Sequence, residues 1–159
     1  MLEFLTKKTP DTIAHRRPAT LTLRASQDAT IEETSPPWIR EVNKRLEYLR
    51  RLRANWDGEG APAIDFECCI NSLRFLLERA ANETPAPQIV PTYDGGLQLE
   101  WHTSGIDLEI TFSPHEPAVF FYVAADGRET EGEVEKEGQK IGNILRALPA
   151  RNERHRPAK

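Results

Sequence analysis

Little in this 159-residue chain invites covalent or metal chemistry: it has two cysteines, one methionine and four histidines, with no ligand spacing between the histidines and the cysteines. Cys68 and Cys69 are neighbours on a predicted helix, where successive side chains diverge, so they do not pair with each other. That removes a disulfide scaffold and leaves Cys69 as an expected small core residue. No apolar run approaches the roughly 20 residues that a membrane-spanning helix needs. The Met1 to Leu5 patch leads straight into Lys7 and Lys8 rather than into the apolar centre of a secretory signal, so the expectation is a cytoplasmic chain with no membrane partner. Phosphate-binding glycine loops and nucleophile motifs are missing too, and no cofactor is expected. A net charge of -4 and a pI near 5.6 weigh against a general nucleic-acid binder.

What is present is an acidic stretch laid over a strict alternation. Between Thr92 and Glu135 stand ten acidic residues and one basic residue, Arg128. Strand side chains alternate between faces, so Leu97, Leu99 and Trp101 share one face while Gln98, Glu100 and His102 share the other. After a turn at His102-Thr103-Ser104-Gly105, Ile106, Leu108, Ile110 and Phe112 point inward, and Asp107, Glu109 and Thr111 outward. Keeping the two apolar rows together predicts Trp101 across from Ile106, Leu99 across from Leu108 and Leu97 across from Ile110. Glu100 then faces Asp107, a like-charge pair that water, a cation or a basic partner must screen.

Around this hairpin the chain divides into three parts. Residues 1–37 carry five charges of each sign and no sustained period, which predicts a largely disordered arm with one short alternating stretch from Thr20 to Arg24. Residues 38–148 form the expected domain, and residues 149–159 a short basic tail. A first helix is predicted over 38–53, entered through Pro36 and Pro37, with Ile39, Val42, Leu46, Leu49 and Leu52 as its apolar stripe. Asn55 to Pro62 is a turn-rich connector in which Trp56 pins the loop to the core. A second helix, capped by Asp65 and running to about Ala81, offers Phe66, Cys69, Ile70, Leu73, Leu76, Leu77 and Ala80 as its apolar face. An edge strand at Gln88 to Pro91, further strands over 118–124 and 128–134, and a closing helix over 136–148 complete the reading. The expected architecture is therefore α+β, a two-layer domain with an antiparallel meander of about four strands packed against two N-terminal helices and a C-terminal one.

Charge is segregated along the chain. The first helix sums to +4, the stretch from Thr92 to Glu135 to -9, and residues 136–159 to +5. The candidate partner-binding residues are Glu100, His102, Asp107 and Glu109 on the acidic face, with Tyr122 from the doubly apolar Phe120-Phe121-Tyr122-Val123 run, which could also close a homodimer. The expected function is non-enzymatic protein interaction, in one form an antitoxin-like neutralisation of a basic protein encoded by an adjacent gene. Two alternatives are carried. Arg45, Arg50 and Arg51 with the basic tail would suit nucleic acid, and Glu100, His102 and Asp107 contain the residue types of a metal-assisted hydrolase.

The motif Asn55-Trp56-Asp57-Gly58-Glu59-Gly60-Ala61-Pro62, followed by a helix, a proline pair and the phrase PTYDGGLQLEWHTSGIDLEI from Pro91 to Ile110, resembles a family of small uncharacterised bacterial proteins. These are built around a tryptophan–aspartate–glycine turn and an aspartate–glycine–glycine hairpin ending in glutamate–tryptophan. The resemblance covers residues 55–123 and implies an α+β bacterial domain, with no catalytic residues to carry over.

Overall fold

A computed structural model describes residues 35–148. Residues 1–34 of the N-terminal arm, including its Thr20 to Arg24 stretch, and the basic tail lie outside the described residues. Two helices, α1 (Ile39–Leu49) and α2 (Phe66–Arg79), precede a meander of β1 (Gln88–Pro91), β2 (Leu97–Thr103), β3 (Ile106–Phe112), β4 (Val119–Val123) and β5 (Glu129–Glu133). A third helix, α3 (Gly138–Ala147), follows. The sheet is antiparallel throughout, in the order β1-β2-β3-β4-β5, so the fold is α+β with five strands rather than about four. Each of the five coincides with a segment expected as a strand, so only the count of about four falls short.

The core lies between the helices and one face of the sheet. Leu97, Leu99 and Trp101 from β2, Leu108, Ile110 and Phe112 from β3, and Phe120 from β4 are all buried. They meet Val42, Leu46 and Leu49 of α1, Phe75 and Leu76 of α2, and Ile141 and Leu145 of α3 in one cluster. Phe75 and Phe112 contact edge to face at 6.0 Å. Helix α1 stops at Leu49, short of Arg53, because the chain tightens into i to i+3 turns from Tyr48 to Arg51 and from Leu49 to Leu52. Asp65 caps α2 as expected, accepting from the Glu67 backbone N–H at 2.7 Å.

Two expectations need correction. Trp101 pairs with Leu108, Leu99 with Ile110, and Leu97 with Phe112, a shift of two residues from the expected register. Glu100 consequently faces Glu109, and His102 faces Asp107. The cause is the turn: only Ser104 and Gly105 lie between the paired Thr103 and Ile106, both at positive φ (53° and 77°). Such a two-residue turn matches the strand twist, and a shift of two preserves every inward-facing side chain.

Helix α2 also buries a different stripe, Cys68, Cys69, Ser72, Phe75 and Leu76. Phe66 and Leu77 are exposed. The hydroxyl of Ser72 donates to the Cys69 carbonyl at 2.9 Å, which lets a polar residue sit fully buried. The sequence left the orientation of Tyr122 open. Tyr122 lies opposite Leu108 on the helix side, away from the acidic residues.

The connector and the hairpin entry are braced against each other. Asp57 Oδ1 accepts the backbone N–H groups of Glu59 and Ala61, and Trp56 Nε1 donates to the Pro62 carbonyl at 3.0 Å. Asp94 Oδ1 likewise accepts the Thr92 hydroxyl at 2.6 Å and the Gly96 N–H at 3.1 Å. The Asp65 N–H then donates to the Gly95 carbonyl at 2.8 Å, and a Cβ at Gly95 would press on the Ala63 carbonyl oxygen and the Pro62 ring. At Gly96 any Cβ would collide with the Phe112 carbonyl oxygen, so the backbone of β3 itself excludes a side chain there. Both loop motifs are thereby structural.

Candidate functional site

Period two on a sheet with all described helices on one side leaves the other side open, and its residues are set by register. β2 contributes Gln98, Glu100 and His102; β3 contributes Asp107, Glu109 and Thr111. β4 adds Val119, Phe121 and Val123, and β5 adds Glu129, Glu131 and Glu133 across from them. Phe121 thus stands between Glu109 on one neighbour and Glu131 on the other. An apolar row runs down β4 with acidic rows on both sides.

Within this face the hydrogen bonds are short-range. His102 Nδ1 donates to Asp107 Oδ1 at 2.8 Å, and Nε2 lies 3.4 Å from Glu100 Oε2. With a carboxylate at each ring nitrogen the imidazolium form is favoured. The Asp107 hydrogen bond raises the His102 pKa above its ordinary value near 6.5, partial burial opposes the rise, and Glu100 adds to it. Gln98 Nε2 donates to Glu109 Oε2 at 2.7 Å. Glu100 and Glu109, facing each other, are thus each steadied by a different neighbour, which offsets their mutual repulsion. Toward β5, Lys136 Nζ pairs with Glu133 Oε1 at 2.6 Å, and at the β4–β5 turn Arg128 pairs with Asp126 at 2.7 Å.

Of the sequence-predicted residues, Glu100, His102, Asp107 and Glu109 come together on this face. Tyr122 does not, and lines a shallow hollow with Lys136, Lys140 and Ile144 of the C-terminal segment. Sequence reasoning missed Phe121, Glu129, Glu131 and Glu133. The signal for the glutamates was available, since three acidic residues at period two in a strand share a face. The side that Phe121 takes in its apolar run was not readable.

Arg45 Nε donates to the Ile89 carbonyl at 2.8 Å, Arg51 pairs with Glu47 at 3.4 Å, and Arg50 lies beyond the helix as its C-cap, close enough to bias Cys69. Both thiols are buried, and burial pushes them up, Cys68 to about 11 with Asp65 adding to the rise. Among the described residues no group of three or more His, Cys, Asp or Glu side chains has a metal-holding arrangement, and no buried side-chain nitrogen or oxygen lacks a hydrogen-bond partner. No described helix is long and apolar enough to cross a membrane.

A second feature is a cleft of about 910 Å³ at the β1 edge. Its walls are α1, through Lys44, Arg45 and Tyr48, the segment from Pro85 to Ile89, and the end of β2 from Glu100 to Ser104. Comparison with known proteins yields no match to any family model, curated protein or solved structure.

Proposed function

We propose that this chain is a non-enzymatic protein-interaction module that engages a basic protein partner through the open face of its sheet. The observation that carries the reading is the apolar row Val119, Phe121 and Val123 flanked by Asp107 and Glu109 on one side and Glu129, Glu131 and Glu133 on the other. Lysine and arginine side chains match such a surface, laying aliphatic stems on the apolar row and charged heads on the carboxylates. Phe121 adds a ring face for a cation. A second copy of the same face would meet like charge, and a phosphate backbone would be repelled. An antitoxin-like inhibitor of a basic enzyme is the specific form this reading takes, with the acidic rows speeding encounter.

The test captures partners from cell extract at low salt on the wild-type chain and on a Glu109→Lys/Glu131→Lys variant, then reconstitutes each complex from purified proteins. Expected is a basic partner whose association rate falls as salt rises above about 0.1 M, where the Debye length shrinks below roughly 10 Å, and which the variant does not retain. Partners indifferent to both salt and charge reversal would remove the reading.

A further inference from the structure

We propose that the cleft beside α1 receives an extended peptide carrying a carboxylate, as an added strand along the end of β2. The proposal rests on a different observation from the acidic face. β1 begins its ladder at Gln88, opposite Glu100, whereas β2 continues to Thr103. The intervening Pro87 and Pro85 have no N–H to extend the pairing. Among the described residues, β2 therefore has no ladder partner on this side from Trp101 to Thr103, and these residues line the cleft. Its volume of about 910 Å³ is of the size that holds ligands.

The backbone there points the right way. Thr103 and Ile106 flank the two-residue turn and face each other, so alternation turns the N–H and C=O of His102 toward the cleft. Arg45 confirms the alternation on β1, since its Nε takes the Ile89 carbonyl from the side away from β2. An exposed strand edge selects another extended backbone. Trp101 is held from behind, its Nε1 donating to the Pro85 carbonyl at 2.8 Å, so the wall is fixed.

Charge comes from the opposite wall. Lys44 and Arg45 lie side by side on α1, and among the described residues neither stands within ion-pairing distance of a carboxylate. Arg45 is pinned at Nε by Ile89, with its guanidinium carbon 5.1 Å from the Tyr48 ring centre. Its terminal nitrogens remain for a planar two-oxygen group, the geometry at which arginine excels. Glu41 and Glu100 also line the cleft, which confines the positive field to the Lys44 and Arg45 corner; Glu100 is drawn toward His102.

A side-chain carboxylate and a chain terminus present the same two oxygens. The test therefore uses two arrays of random peptides about eight residues long, one with free C termini and one amidated, probed with the full chain. Expected are retained peptides rich in β-branched residues. Acidic side chains enriched in both arrays identify a side-chain source, and retention only on the free-acid array identifies a terminal one. The strongest peptide should lose about tenfold or more in affinity on Lys44→Glu or Arg45→Gln. Glu109→Lys/Glu131→Lys should leave it unchanged, and the His102 backbone amide should shift in the NMR spectrum on binding. Lys44→Glu keeps the test sound if loss of the Arg45 bond to Ile89 loosens the fold. The proposal falls if no peptide is retained, if the retained ones are basic, or if binding ignores Lys44→Glu.

Discussion

The two faces of this sheet are written in the same strands, one residue apart, and they teach opposite lessons. On the inner face Leu97, Leu99, Leu108 and Ile110 are fully buried beneath three helices, and each neighbour constrains the next. The outer face carries carboxylates, one histidine and a partly exposed apolar row, with no described helix above it. Stability resides on the first face. The second is free to serve recognition, because its side chains are not needed to close the core.

That division can be broken by substitution. Leu99→Ala or Ile110→Ala should cost about 2–5 kcal/mol by leaving a cavity that the helices fill poorly, whereas Glu109→Ala should stay within about 0.5 kcal/mol. Urea unfolding followed by circular dichroism measures both, and equal losses would erase the distinction. Next in size is Gly96→Ala, whose methyl group meets the Phe112 carbonyl oxygen and the Thr92 hydroxyl, for an expected loss of about 1–3 kcal/mol in the same assay. Asp65→Ala removes the cap of α2 and should cost about 1 kcal/mol.

The smallest effect expected is the pH dependence of His102. Its folded-state pKa is raised, chiefly by Asp107, so its stabilisation is fully present below the ordinary value near 6.5 and is lost as pH rises through the folded value. The difference in Tm between wild type and His102→Gln should therefore shrink from about pH 5.5 to about pH 8. A difference that grows over that range would contradict the contact with Asp107. Asp94 runs the other way: burial would raise its carboxyl, but bonds from Thr92, Ser113 and Gly96 outweigh that and lower it. Its contribution is present above pH 3.8 and fades as pH falls through the lowered value.

The class of fold and the membership of the two faces in β2 and β3 were legible, because alternation fixes which residues share a side. Register was not, because parity is blind to a shift of two; the Ser104-Gly105 pair, both at positive φ, carries that information. In α2 two stripes competed. Phe66, Ile70, Leu73 and Leu77 outscore Cys68, Ser72 and Phe75 in hydrophobicity, yet Phe75 wins a place against Phe112 that only the tertiary structure provides. The side that Tyr122 takes was not readable, since Phe120 to Val123 is apolar on both sides. The cleft was invisible, because it exists only where β1 falls short of β2.

The claim that the acidic face is open and separate from the core is tested most directly by single cysteines on adjacent positions. Phe121→Cys and Glu109→Cys should react with a maleimide in the folded protein at nearly the rate of a free thiol, while Phe120→Cys and Leu108→Cys react only after denaturant is added. Wild type supplies the blank, since Cys68 and Cys69 are buried with raised pKa values. Protection of Phe121→Cys and Glu109→Cys equal to that of their inward neighbours would contradict the account.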